Sequence, residues 1–239
     1  MRVVISQPML FPWVGMLEQV RLADVYVHYS DVQFSKGSFV NRVQLKTAQG
    51  SRWLSVPLQG LSLGQRIDQV QIDRSRGWRQ QHQQLLAQAY AGAPYLKEML
   101  ALVEEVYAAD PFTIDRLSEA SLLAVCGYFG LDQGTRFVSV DALGVAGAGS
   151  QRVLDIVQAL GGDAYVTGMG ARNYLDHQAF ERAGIRVEYM DYRKLPYPQL
   201  HGEFTPYVSS LDLIANCGRQ GLHYLQSGTL NWREFLHHE

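Results

Sequence analysis

Residues Arg2-Val3-Val4-Ile5-Ser6-Gln7-Pro8-Met9-Leu10-Phe11-Pro12-Trp13-Val14-Gly15-Met16, continued by Leu17-Glu18-Gln19-Val20-Arg21-Leu22-Ala23-Asp24, decide how the chain is read. A short apolar run stops at Gln7-Pro8, and apolar residues recur at helical spacing from Met16. This pattern is a buried strand turning sharply into a helix, the opening of a βα unit. Tips of this kind bind ligands in parallel α/β sheets, because the first N–H groups of the helix have no partner within it and point into the crevice. Gln7 and Trp13 lie at the tip, and Gly15 gives a phosphate or carboxylate room to approach the backbone.

Working outward, Asp24-Val25-Tyr26-Val27-His28-Tyr29 is β-branched and aromatic and reads as a second parallel strand. It runs into another polar tip, 30–36, which carries Asp31, Gln33 and Lys36. Segments 39–46 and 52–58 alternate on either side of a Gly-containing turn and form a β-hairpin. Val40, Arg42, Gln44 and Lys46 then share one face, and Asn41, Val43 and Leu45 the other. Arg42 and Lys46 suit a solvated face, whereas Asn41 among apolar neighbours needs hydrogen-bond partners.

Ile67, Val70 and Ile72 mark another extended stretch. From Trp78 the pattern becomes helical, with Trp78, His82, Leu85, Leu86 and Tyr90 on one face. A second helix opens at Ala93-Pro94, with Pro94 near its first position, and runs to about Tyr107; a third covers 112–129. Three helices without an intervening strand suggest a helical insertion at 75–131 in an α/β core made of 1–74 and 132–239.

Residues 135–140 return to strand. A loop containing Gly144, Gly147 and Gly149 follows, then a helix from 151 to 160 with Ser150 as its N-cap. The loop lacks the lysine of a P-loop and the spacing of a dinucleotide fingerprint. Strand 164–167 ends in a third tip carrying Gly168, Arg172, Asn173 and Tyr174, and 185–190 is the next strand. The expected fold is therefore α/β and Rossmann-like, a mostly parallel sheet of about five strands with a β-hairpin and the helical insertion. Residues 191–200 are too rich in proline and aromatics for regular structure. A capped short helix over 209–218 places Asp212 and Asn216 at i and i+4, either as end capping or as a polar pair closing the pocket, and a last helix runs to about Leu225.

The 239 residues are 47% hydrophobic with a net charge of −2, which suits a globular domain with a sizeable core and gives no global attraction to DNA or anionic membrane. Cys126 and Cys217 each lie in an apolar run and read as buried thiols of a reducing compartment. No secretory leader or membrane-spanning window is evident, so the expected location is the cytoplasm. No metal-ligand cluster is apparent.

Several stretches together resemble the WbqC-like protein family: Gln7-Pro8 with Phe11-Pro12-Trp13-Val14-Gly15, Ala23-Asp24-Val25, Asp31-Val32-Gln33-Phe34, Asn41-Arg42, Trp53-Leu54 with Val56-Pro57-Leu58, Tyr165 with Gly168, Tyr174, and 209–218. The resemblance spans nearly the whole chain. It implies a place beside bacterial O-antigen and other surface-polysaccharide genes, and an activity that attaches glycine or a similar acyl group to an amino sugar. A more distant likeness is to nucleotidyltransferases with a His-x-Gly-His signature, and among them to pantothenate synthetase, which joins an acid to an amine through an acyl-adenylate. That likeness implies ATP with magnesium. Trp13 and Met16 stand where the signature histidines would be, so Lys36, Arg42, Lys46 or Arg172 would have to neutralise the phosphates, or ATP is no longer bound.

The candidate site gathers at the strand tips. Gln7, Asn41, Gln33, Lys36, Gly168, Tyr174, Asp212 and Asn216 would hold the substrate, Trp13 would stack on a base or sugar, and Gly15 would admit an anion. Arg42 would grip a phosphate or carboxylate, with Asp31 beside it in the catalytic set. His82 is the candidate general base, although a histidine on an apolar face is ordinarily a satisfied core group; His28 is the other choice. The ligands expected are a nucleotide-linked amino sugar and an acyl donor. Near-neutral charge disfavours aminoacyl-tRNA as that donor. The competing reading is a non-catalytic protein that binds a nucleotide sugar or a partner enzyme.

Overall fold

In the computed structural model, which describes residues 1–237, the opening stretch folds as read: β1 (Arg2–Ser6), a buried loop, α1 (Val14–Leu22) and β2 (Val25–His28). β1 pairs in parallel with β2 on one side and with β8 (Ala164–Thr167) on the other. With β7 (Arg136–Ser139), β9 (Arg186–Asp191) and β10 (Gly228–Asn231), they form a six-stranded sheet of order β10-β9-β8-β1-β2-β7. The five expected strands are all present and parallel; the sixth, β10, is antiparallel to β9. Its four residues Gly-Thr-Leu-Asn carry little strand signal, and 218–224, expected as helix, are 3₁₀ turns leading into it. Read from β7, the strands appear in chain order 3-2-1-4-5-6, so the sequence direction reverses between β1 and β8.

The two faces of the sheet are covered by different helices. Val4, Tyr26 and Val166 point to one face, where they meet α1, α2 (Trp78–Ala89), α3 (Leu96–Ala108), α4 (Ile114–Phe129) and α7 (Ser210–Cys217) in one continuous core. Val3, Val25, Val27, Tyr165, Val187 and Tyr189 point to the other, against α5 (Gly149–Ala159), α6 (His177–Arg182) and α8 (Trp232–His237). This alternation is the period of two that a sheet buried on both faces requires. The hairpin, β3 (Arg42–Thr47) with β4 (Gly50–Ser55), and the short pair β5 (Leu58–Gln59) with β6 (Gln71–Ile72), lie outside the main sheet, and their apolar residues join the first core.

Local start signals were less accurate than the elements themselves. Pro94 precedes the N-cap of α3, Tyr95, and so lies outside the helix rather than at its first position. α4 begins at Ile114 after Thr113, not at Phe112. Ser150 does not cap α5, whose N-cap is Ala148; its hydroxyl instead accepts from the backbone N–H of Asp176 at 2.8 Å. Both cysteines are free and buried. Among the described residues no helix is long and apolar enough to cross a membrane.

The loop between β1 and α1 is unusual in being buried. Leu10 and Phe11 have no exposed surface, and Phe11 adopts a left-handed backbone with φ of 35°. Its polar backbone groups are met from distant parts of the chain. The N–H of Leu10 donates to Phe39 O at 3.1 Å, and that of Phe11 to Ser121 Oγ at 2.9 Å. Phe11 O accepts from Ser209 Oγ at 2.7 Å, and Pro12 O from the N–H of Ser210 at 2.8 Å. Ser121→Ala strips the partner from a fully buried N–H, at a cost of about 1–3 kcal/mol. Urea unfolding of this variant is expected to show a lower midpoint with an unchanged slope; an unchanged midpoint would refute the role given to this bond.

Candidate functional site

The C-terminal ends of β1, β2 and β8 open into a cleft of about 700 Å³ at the reversal of strand order, where open α/β sheets hold their ligands. β1 contributes Ser6 and Gln7; the segment after β2 contributes Tyr29, Asp31 and Gln33; β8 and its tip contribute Thr167, Gly168 and Tyr174. Gly147, Ala148 and Gly149 lead into α5 on one side, and Gln19 of α1 forms the other wall. Gly147 and Gly149 have φ of 107° and 61°, a backbone that needs glycine, and no side chain caps the first N–H groups of α5.

Arg152, in the first turns of α5, is the cation of this cleft. Its Nη1 donates to Asp31 Oδ1 at 2.9 Å and its Nη2 to Asp31 Oδ2, a two-pronged pair. Nε donates to Val145 O at 3.0 Å, and the guanidinium lies 5.1 Å from the Tyr29 ring centre. The hydrogen bonds to Asp31 raise the Arg152 pKa, so the guanidinium stays charged although it is nine-tenths buried. On the opposite wall, the amide of Gln19 lies across Gly168, where a Cβ would come within 2.9 Å of Nε2.

Of the residues expected to form the site, Gln7, Asp31, Gln33, Gly168 and Tyr174 line this cleft. The others lie elsewhere. His82 is buried between Trp78 and Tyr107; its Nδ1 is 2.8 Å from Tyr107 Oη and its Nε2 3.0 Å from Ser55 O. Burial pushes its pKa down to about 4, and both nitrogens are engaged, so the ring is a satisfied core group with no access to a substrate. His28 is also buried and faces Glu119 of α4 at 3.7 Å, on the side of the sheet away from α5. Arg42 packs over the Trp53 ring at 4.1 Å and donates to Gly37 O. Asn41 finds its partner in Val56 O at 3.0 Å, and Lys36 is exposed in the turn before the hairpin.

Lys46 departs most from its expectation of a solvated face. It is buried, and its ammonium donates to Gln199 Oε1 at 3.0 Å and to the carbonyls of Gly202 and Glu203. Nearby, the fully buried Asp212 faces the Tyr197 and Tyr90 hydroxyls and Gln199. Asn216 donates to the backbone carbonyl of Asp212 at 2.8 Å, so this pair ends a helix and does not close the cleft. Burial pushes the Asp212 carboxyl up to about 6. A carboxyl whose folded pKa exceeds its unfolded value stabilises most at low pH and loses that contribution as pH rises, here between about 4 and 6. Asp212→Asn is therefore expected to gain stability relative to the native chain by on the order of 3 kcal/mol between pH 4 and pH 8. Parallel urea titrations check this, and a pH-independent difference would contradict it.

The α1 tip does not fit nucleotide phosphates. The Trp13 indole lies where a Cβ of Gly15 would be, within 2.4–2.7 Å, so the backbone that was expected to admit an anion is covered. Met16 is buried, with its sulfur 3.2 Å from Tyr26 Oη. Among the described residues, no group of three or more His, Cys, Asp or Glu is placed to hold a metal ion. No step through ATP at this tip follows from these residues. Gly15→Ala is expected to displace the indole and shift the tryptophan emission. Its helix-favouring gain of about 0.5–1 kcal/mol should emerge only in a Trp13→Leu background.

The family model for the WbqC-like protein family matches residues 7–224, from the cleft's Gln7 almost to β10. The chain belongs to the WbqC-like family. It is 32% identical over 228 residues to an uncharacterized protein of Mycobacterium tuberculosis, covering 94% of this chain and 97% of that one. No solved structure matches. The family match covers the cleft-lining residues from Gln7 to Tyr174, and Ile5 and Ser6 at the end of β1 precede it. Gln19, Tyr29 and Arg152, which sequence reasoning did not assign to the site, are part of it. The Gly-rich loop ahead of Arg152 was the available signal, and it met no complete phosphate-binding motif.

Proposed function

We propose that this WbqC-like protein binds the phosphate-bearing part of a nucleotide-linked amino sugar in the switch-point cleft and forms an amide on the sugar's amine by acyl or aminoacyl transfer, as a step in building bacterial surface polysaccharide. The observation that supports this reading is the buried Arg152 held by Asp31 beside the uncapped start of α5, within a cleft large enough for a nucleotide-sized ligand. A guanidinium held by a carboxylate and a carbonyl keeps a positive charge stationed beside the helix start, where a phosphate can exchange for the carboxylate.

In such a reaction the amine nitrogen attacks the acyl carbonyl, the bond to the donor's leaving group breaks, and the nitrogen gives up a proton. Gln7, Gln19 and Gln33 supply amides that can orient the sugar and the acyl oxygen, so the rate gain rests on positioning and electrostatics. Asp31 is the carboxylate of the cleft lining and would take the proton once Arg152 turns to the ligand's phosphate. A second reading, binding without turnover, is favoured by one observation: both Asp31 oxygens are engaged by Arg152, and His82 is sealed in the core.

A thermal-shift panel separates these. Nucleotide-linked hexosamines are expected to raise the melting temperature, by the equivalent of about 2.7 kcal/mol at a hundredfold excess over Kd, and Arg152→Gln to abolish the rise. Silence across the saturating panel removes the proposal. Mass-spectrometric detection of an acylated sugar with the native chain, lost in Asp31→Asn, supports the transferase; a thermal shift with no product from glycyl-CoA, glycine with ATP or charged tRNA supports the binding protein.

A further inference from the structure

The stretch 32–67 holds five of the chain's 21 basic residues and none of its 23 acidic ones, so a chain of net charge −2 carries a local surface of the opposite sign. Lys46 is buried and Arg66 is paired with Asp68, which leaves Lys36, Arg42 and, on the other face of the hairpin, Arg52. Among the described residues none of these three has a carboxylate partner. The same stretch is rich in exposed apolar side chains: Leu63 is 99% exposed, Trp53 40%, and Phe39 and Leu61 39% each. Contacts join these residues to one another. On the hairpin, Val43 and Leu54 turn into the core, and Arg42, Gln44 and Trp53 stand on the opposite face. Phe39 packs on Trp53 with centroids 5.6 Å apart, and Arg42 lies over the same ring and donates to Gly37 O. The turn 35–38, which carries Lys36, is closed by the Ser38 N–H on Ser35 O at 3.0 Å. Just before it, the Phe34 N–H donates to Gln65 O at 2.8 Å and Gln33 bridges Arg66, which brings in the loop 60–66. That loop is fixed by its own bonds. Gln65 Oε1 accepts from the Ser62 N–H at 3.1 Å, its Nε2 donates to Gln69 O at 2.9 Å, and Gly60 and Gly64 take φ of 58° and 82°. The tip therefore holds Leu63 out in water, where the fold makes no use of it.

We infer that this surface docks the protein on an anionic lipid bilayer, with Leu63 entering the headgroup region, Trp53 and Phe39 at the interface, and Lys36 and Arg42 over the acidic headgroups. The inference does not depend on what fills the cleft. Three features set the partner. A leucine on an exposed tip has neither a hydrogen-bonding group nor a flat ring for a base, which separates this surface from an RNA site. Cations without carboxylates among them suit a diffuse negative surface rather than the matched pairs of a protein interface. Tryptophan beside aliphatic and basic side chains is the composition that the boundary between water and hydrocarbon favours. The contact is peripheral, since among the described residues no helix is long and apolar enough to cross a membrane. Gln33 belongs both to the cleft lining and to the edge of this surface, so docking holds the cleft beside the headgroups.

The test sediments the full chain with vesicles of phosphatidylcholine alone and with vesicles in which part of that lipid is replaced by phosphatidylglycerol. Binding is expected only to the anionic vesicles, and it should weaken in salt of about 1 M, which screens charges more than about 3 Å apart. Leu63→Ser, at a fully exposed position and so without a folding cost, should reduce the partition about tenfold, and Lys36→Gln about fivefold. Brominated lipid should quench part of the tryptophan emission of the native chain, and that part should be absent in Trp53→Phe. No sedimentation with the anionic vesicles, binding that Leu63→Ser leaves unchanged, or quenching that persists in Trp53→Phe overturns the inference. Binding to polyuridylate in place of vesicles also overturns it and makes the surface an RNA site.

Discussion

A buried loop must have every backbone donor and acceptor met from within the protein, and the connection from β1 to α1 is such a loop. It cannot be solvated, because Leu10 and Phe11 are enclosed on all sides. Its four exchanged bonds therefore draw in the entry to the hairpin, the middle of α4 and the start of α7, at Phe39, Ser121, Ser209 and Ser210. The three-helix segment and the C-terminal segment are consequently joined to the sheet through its most central strand. This one requirement also bears on the cleft, since the same loop begins at Gln7 in its lining.

The parallel core was legible because its strands are short apolar runs ending in abrupt polar tips, and each is followed by a segment of helical period. The hairpin was legible from its alternation. β10 was not, since its Gly-Thr-Leu-Asn run carries little strand signal, and its place is set by β9, with which all four residues pair, rather than by its own composition. Helix starts were misplaced at Ser150 and Pro94 because local preference yields to tertiary partners: the Ser150 hydroxyl serves Asp176 instead.

The cleft was legible as a place more than as a set of residues. Strand-tip reasoning found Gln7, Asp31, Gln33, Gly168 and Tyr174, which only had to follow strands correctly located. It could not find Arg152, whose meaning depends on meeting a carboxylate 121 positions away. It also could not tell a solvated lysine from a buried one. Lys46 alternates as an exposed residue should, but the 199–203 segment folds back over that face of the hairpin and encloses it. His82 went the other way: the apolar helix face around it already indicated a core group, and the bonds to Tyr107 and Ser55 are what such a group needs.

The central position of β1 bears on how the chain is made. Its first partner, β2, emerges within the next thirty residues, but its other edge is closed only by β8, beginning at Ala164. At ordinary synthesis rates the interval is roughly ten to thirty seconds, during which the innermost strand of the finished sheet is an open edge. Ser209 and Ser210, which complete the loop beside it, arrive later still. The nascent chain thus depends on its last quarter to bury its first dozen residues, so a truncated product would expose an apolar edge to other chains rather than fold as a smaller domain.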